Sequence, residues 1–147
     1  MISLIDFVKA FNTNLQYRIL VVVDEKCDIF SGSKEEFITN AQNPFGFKDF
    51  YVEQADFVVG EDYDYDNKKW VEDGYCLYID ADNNADNFDD FTLDELIKFE
   101  KYINRYNNRK NKFKIDKVIS ENNIVKSFNV EKCEWNLKDL KTVFCMV

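Results

Sequence analysis

The 147-residue sequence contains no histidine, one proline and four glycines. Without an imidazole, the Ser-His-Asp and Cys-His forms of catalysis, histidine metal ligation and the usual general base near neutral pH are excluded. The scarcity of glycine and proline excludes collagen-like and low-complexity chains. Catalysis would have to use carboxylates, lysines, tyrosines or thiols, and we therefore expect a protein that is not an enzyme.

The sequence also lacks long apolar runs and paired cysteines. No segment approaches the ~20 consecutive apolar residues of a membrane helix, and the first residues lack the basic start and cleavage site of a signal peptide. Cys27, Cys76, Cys133 and Cys145 form no C-x-x-C pair, which argues against a zinc ribbon or a thioredoxin-like motif. We expect a cytoplasmic protein without cofactor or metal, in which the cysteines are buried as small hydrophobic residues.

Hydrophobic residues make up 46% of the chain and aromatic residues 16%, as is typical of a folded domain. A chain of this size buries roughly two thirds of its unfolded surface, so we expect one domain over residues 1–147. Capping residues followed by apolar residues at helical spacing predict four helices. The predicted caps are Ser3, Ser33, Thr92 and Asn136.

The remaining apolar segments predict strands. The run YRILVVV is typical of a central strand covered on both faces, and its continuation into a short second strand predicts a hairpin. The predicted strands are 17–23, 27–30, 50–60, 75–79 and 124–130, with further alternation around Phe113 and Ile115. The fold class is therefore α+β, with a mostly antiparallel sheet flanked by an N-terminal helix, a helix near 92–106 and a C-terminal helix.

The negative charge is concentrated in one third of the chain. The net charge is −9 overall, but −1 for residues 1–48, −14 for residues 49–100 and +6 for residues 101–147. Such a balance argues against direct binding of nucleic acid. Because solubility requires only a modest net charge, we infer that this field attracts a basic partner. The alternative is internal neutralisation by the basic residues of 105–117.

Within the acidic third, three aspartates alternate with two tyrosines. If the segment is extended, Asp62, Asp64 and Asp66 share one face at roughly 6.6 Å intervals. This spacing is close to two phosphate steps of about 3.4 Å along one nucleic acid strand. Such a row could occupy the lysine and arginine sites that another protein keeps for phosphates. Tyr63, Tyr65 and Trp70 add rings that can stack or anchor an interface.

These patterns predict a partner-binding surface formed by residues 61–90. The predicted residues are Glu61, Asp62, Tyr63, Asp64, Tyr65, Asp66, Trp70, Glu72, Asp73, Asp80, Asp82, Asp86, Asp89 and Asp90. We expect a non-enzymatic inhibitor from a phage or mobile element, a nucleic-acid mimic of the anti-CRISPR or anti-restriction type. Its partner would be a basic nucleic-acid-binding protein, such as a nuclease or effector complex.

Three alternatives use the same residues. An immunity protein that neutralises a cognate toxin would share the acidic interface. A calcium-binding module is suggested by EF-hand spacing at Asp62–Asp73 and at Asp80–Phe91, although both segments lack the turn glycine and the final glutamate. The third alternative is a solvated acidic loop whose aromatic rings pack back onto the core.

Overall fold

A computed structural model describes residues 1–24, 26–41, 46–83, 87–106 and 112–133. The helices are α1 (Leu4–Ala10), α2 (Lys34–Ala41) and α3 (Leu93–Tyr106). The strands are β1 (Ile2–Ser3), β2 (Phe11–Thr13), β3 (Tyr17–Val23), β4 (Cys27–Gly32), β5 (Tyr51–Asp64), β6 (Lys69–Asp82), β7 (Lys112–Glu121) and β8 (Ile124–Cys133). The predicted C-terminal helix, Asp86 and Cys145 lie outside the described residues.

The α+β fold class is confirmed, but the strands form two sheets where one was expected. The larger sheet has the order β1-β5-β6-β3-β4, and the smaller has the order β2-β8-β7. Most neighbouring strands are antiparallel, whereas β3 pairs with β6 and β2 with β8 in parallel. The spacing of Leu4, Phe7 and Phe11 predicts a first helix that ends near Asn12 and Asn14, but Phe11–Thr13 instead adds a third strand to the smaller sheet by pairing with residues 128–130.

The predicted helix caps are present in the described helices. The Ser3 hydroxyl accepts a hydrogen bond from the Asp6 backbone N–H at 3.4 Å. Ser33 and Glu36 form a reciprocal capping box, with distances of 3.1 Å and 3.2 Å. Thr92 caps α3 through its hydroxyl, which accepts from the Glu95 backbone N–H at 3.4 Å. These local contacts fix where each helix begins.

Phenylalanine rings join the two sheets and the helices in one core. Phe11 lies with its ring centroid 5.3 Å from Phe57 of the larger sheet and 5.6 Å from Phe128 of the smaller sheet. Phe128 in turn contacts Phe7 of α1 and Phe99 of α3. Burial of large rings contributes most of the favourable free energy of such a core. The larger sheet is therefore anchored to the helices and to the smaller sheet through one shared core.

The cysteines only partly follow expectation. Cys76 is buried and Cys133 is partly buried, but Cys27 is exposed, so the prediction is wrong for that residue. Cys27 opens β4 directly after the turn from β3, where the chain lies at the surface. Burial raises the pKa of the Cys76 thiol, and nearby Arg18 opposes this effect.

Candidate protein-binding surface

A two-stranded hairpin extends beyond the larger sheet. Strands β5 and β6 are each 14 residues long and pair almost throughout. The neighbouring strands cover only part of this length. Strand β1 pairs with β5 only at residues 51–52, and β3 pairs with β6 only at residues 75–81. Residues 61–73 therefore lie past the last pairing of β6 with β3. We call residues 61–73 the arm.

The arm begins where the pairing of β5 and β6 is irregular. Their register shifts between Val59 and Glu61, and each strand has a glycine at this level, Gly60 and Gly74. Gly74 adopts φ +71°, and a Cβ atom there would lie 3.1 Å from the carbonyl oxygen of Gln16. A bulge of this kind bends a strand and increases its twist. The two glycines thus mark the base of the arm.

Asp64 organises the tip of the arm. Its carboxylate accepts hydrogen bonds from the backbone N–H groups of Asp66 and Asn67, at 3.0 Å and 3.2 Å, and from the Asn67 side-chain amide at 2.7 Å. These bonds, led by that from the Asn67 side chain, lower the pKa of Asp64. The predicted row of three aspartates on one extended strand is therefore wrong, because Asp66 lies in the turn that Asp64 holds.

Two tyrosines form an aromatic pair at the tip. The ring centroids of Tyr63 and Tyr65 are 5.0 Å apart, and the rings meet edge to face at 86°. The Tyr65 side chain is 83% exposed and that of Tyr63 is 36% exposed. Neither ring is buried in the core, so the alternative with aromatic rings packed back onto the core does not hold for Tyr65. In the strand register, Tyr63 is paired with Trp70.

The arm brings together nine of the fourteen predicted partner-binding residues. It contains six acidic residues and two lysines, for a net charge of −4. Both lysines, Lys68 and Lys69, are exposed and lie on the far side of the turn from Tyr63. The backbone thus gathers the negative and aromatic residues of 61–73 on one projecting structure.

Other predicted residues lie at the opposite end of the hairpin. Asp62 pairs with Val71, and from there to Asp80 the strand covers about 30 Å at a rise of about 3.3 Å per residue. Asp80 and Asp82 lie instead near Glu53, an exposed residue whose pKa is raised by desolvation and by these two carboxylates. The prediction of a single surface over residues 61–90 is therefore wrong, because the hairpin separates its two acidic parts.

Asp89 and Asp90 belong to this second acidic region. They line a cleft of about 800 Å³ together with Glu53 and Glu95. Asp89 also forms an ion pair with the amino group of Met1. Glu53 and Glu95 were not predicted from the sequence, although the antiparallel pairing of two strands around an acidic turn would have placed residue 53 beside residues 80–82.

The structure describes part of the basic stretch 105–117, which in the alternative interpretation neutralises the acidic third of the chain. Lys114 forms an ion pair with Glu131 of its own sheet at 3.4 Å. Lys117 is exposed on β7. Residues 107–111 lie outside the described residues. The partner of Lys114 is thus not part of the acidic third of the chain.

The EF-hand alternative does not match the backbone at Asp62–Asp73. These residues form two paired strands and a short turn, whereas an EF-hand needs a twelve-residue loop that wraps around the ion. Within the described part of the chain, no group of three or more histidine, cysteine, aspartate or glutamate side chains is arranged to hold a metal. The second candidate, Asp80–Phe91, includes residues 84–86, which are not described.

Comparison with known proteins gives no relative for this chain. No family model, curated protein or solved structure matches it. None of the helices in the described segments has the length and apolar character needed to cross a membrane. The function must therefore be inferred from the charge and geometry of the arm.

Proposed function

We propose that the protein binds a basic, nucleic-acid-handling protein through the arm and competes with nucleic acid for that partner. The observation that carries this proposal is the projecting arm, which joins a net charge of −4 to the exposed ring of Tyr65. No step of the proposal requires catalysis. It describes a cytoplasmic inhibitor of the kind that a phage or mobile element directs against a nuclease or effector complex.

The charge of the arm favours fast encounter with a basic surface. The carboxylates of the arm belong to residues 49–100, whose net charge is −14. Complementary fields of this kind raise association rates and select against partners of the wrong charge. Because salt screens exposed charges over about 8–10 Å, binding should weaken steeply as the salt concentration rises.

The aromatic residues favour a specific complex over a diffuse electrostatic one. Tyrosine and tryptophan are the residues that most often dominate the binding energy of protein interfaces. Tyr65 is exposed at the end of a hairpin whose turn is held by Asp64. A side chain in this position reaches a recessed site on a partner before the body of the protein does.

The test removes charge from the arm without disturbing its turn. Asp62→Lys combined with Asp66→Lys reverses two charges and leaves Asp64, which holds the tip, unchanged. The matched control, Asp28→Lys combined with Glu121→Lys, makes the same change at exposed positions of β4 and β7. Each protein is immobilised and exposed to a cell extract from which nucleic acid has been removed.

We expect the immobilised unmodified protein and the immobilised control to capture a basic protein from the extract, and added DNA to release it. The arm variant should capture at least tenfold less of this protein. The retained protein should bind DNA on its own and lose that binding when the inhibitor is added. A retained protein with no affinity for nucleic acid would favour the immunity-protein alternative. Equal retention by the arm variant and the control would refute the proposal.

A further inference from the structure

We infer that the arm fits a site for single-stranded nucleic acid, in which Tyr65 takes the place of a base. This inference rests on the proposed function and narrows the class of partner. It depends on three features of the arm: its width, the order of its charges and rings, and the exposure of Tyr65.

The arm is too narrow to imitate a duplex. Its two strands are about 4.8 Å apart, whereas the two phosphate backbones of B-DNA border grooves about 6 Å and 12 Å wide. Acidic residues lie on both strands of the arm, with Glu61 opposite Glu72, so its two lines of charge start from backbones closer together than those of a duplex. A groove that follows a single backbone has no such mismatch.

The order of side chains at the tip corresponds to that of a single strand. Asp62, Tyr63, Asp64, Tyr65 and Asp66 alternate charge and ring, as phosphates and bases alternate along one chain. Asp66 is exposed beside Tyr65, while the Asp64 carboxylate accepts the hydrogen bonds that hold the turn. Sites for single strands combine a basic groove with aromatic or arginine platforms on which bases stack, largely without regard to sequence. A phenol ring presents a comparable flat face.

The ring of Tyr65 is both exposed and positioned. It is 83% exposed, and its edge-to-face contact with Tyr63 at 5.0 Å restricts its orientation. Restriction before binding lowers the entropy lost on binding. Lys68 and Lys69 would repel a basic groove, so the partner should approach the arm from the side of Tyr63 and Tyr65.

The experiment compares partners that bind single strands with partners that bind duplexes. A nucleic-acid-free cell extract is passed over one column of single-stranded DNA and one of duplex DNA, and each column is then eluted with the protein. The variants are Tyr65→Ala and Tyr65→Phe. The control is Phe88→Ala, which removes an exposed ring that is 39% exposed and lies outside the arm.

We expect the unmodified protein to elute a component from single-stranded DNA and little from duplex DNA. Tyr65→Ala should require between about fivefold and a hundredfold more protein for the same elution, the range expected for loss of one stacked base. Tyr65→Phe and Phe88→Ala should elute as the unmodified protein does, since each keeps a ring at position 65.

Two results would overturn the inference and leave the proposed function standing. One is preferential elution from duplex DNA, and the other is elution from single-stranded DNA by Tyr65→Ala at the unmodified concentration. Elution from neither column would count against the proposed function itself, and therefore against the inference as well.

Discussion

The side-chain amide of Asn104 pairs with both backbone polar groups of Phe113, as a neighbouring strand would. Its Nδ2 donates to the Phe113 carbonyl oxygen at 2.7 Å, and its Oδ1 accepts from the Phe113 N–H at 2.7 Å. One turn earlier on α3, the Glu100 carboxylate accepts from the Ile115 N–H at 2.6 Å. Helix α3 thus covers part of the outer edge of β7, which among the described strands pairs with β8 alone.

Replacing Asn104 should therefore destabilise the protein. Asn104→Ala leaves two backbone groups of Phe113 without their partner, and we expect the free energy of unfolding to fall by about 2–4 kcal/mol. Urea denaturation followed by circular dichroism measures this change. The control is Lys101→Ala, at an exposed position of the same helix. Equal stability of the two variants would show that the pairing contributes nothing.

The turn at the tip should depend on the ionisation of Asp64. Because hydrogen bonds to its carboxylate lower its pKa, the stability they give is present above the ordinary value of about 3.9 and is lost as the pH falls through the lowered pKa. The amide resonance of Asn67 should accordingly titrate with a midpoint below about 3.9 in NMR spectra.

The same contacts predict a difference between two substitutions at the tip. Asp64→Ala should accelerate amide exchange at Asn67 by about tenfold, the effect of losing one net hydrogen bond. Asp66→Ala, whose side chain accepts none of these bonds, should leave that rate nearly unchanged. Similar exchange rates in both variants would contradict the role given to Asp64.

Glu53 should make the protein less stable at neutral pH than at acidic pH. Its pKa is raised by desolvation and by the nearby carboxylates of Asp80 and Asp82. For a carboxyl group with a raised pKa, the stabilising contribution is present below the ordinary value of about 4.3 and is lost as the pH rises through the raised pKa.

Removing the charge of Glu53 should reverse this loss. We expect Glu53→Gln to raise the melting temperature by about 1–3 °C at pH 7 and to leave it unchanged at pH 4. The control, Glu121→Gln, removes an exposed charge from the other sheet. A melting temperature that is unchanged or lower at pH 7 would mean that the neighbouring carboxylates do not strain this site.

Gly74 should tolerate few replacements. Its φ of +71° is unfavourable for residues with a Cβ atom, and that atom would lie 3.1 Å from the Gln16 carbonyl oxygen. We expect Gly74→Ala to lower the free energy of unfolding by about 1–3 kcal/mol. Gly74→Asn should cost less, since asparagine adopts positive φ more readily. The opposite order in denaturation experiments would exclude backbone strain as the cause.

Local signals in the sequence predicted much of the fold. The caps at Ser3, Ser33 and Thr92 mark real helix starts, and the Asn122–Asn123 pair forms the turn between β7 and β8, with φ values of 53° and 68°. The parallel pairing in the second sheet was not predicted because it joins Phe11–Thr13 to distant residues. No local pattern distinguishes three strand residues from the last turn of a helix.

Only part of the site was predicted, again because the pairing of strands leaves no local pattern in the sequence. Composition identified the acidic and aromatic residues of 61–73, and the hairpin does bring them together. The length of β5 and β6 was underestimated, because the charged residues at their ends have low strand propensity. That extra length places Asp80 and Asp82 far from the arm and beside Glu53. Pairing between strands, which composition does not reveal, decides which charges are neighbours.

The pairing of β2 with β8 has a consequence for how the chain folds. The Thr13 hydroxyl donates to the Val130 carbonyl oxygen across a sequence separation of 117 residues. During synthesis, the strand at residues 11–13 must wait until residues 128–130 have left the ribosome before it can be paired. Proteins dominated by such distant contacts fold slowly, in milliseconds to seconds. Until then, the ring of Phe11 can pack against Tyr17 and Phe57 but lacks its contact with Phe128.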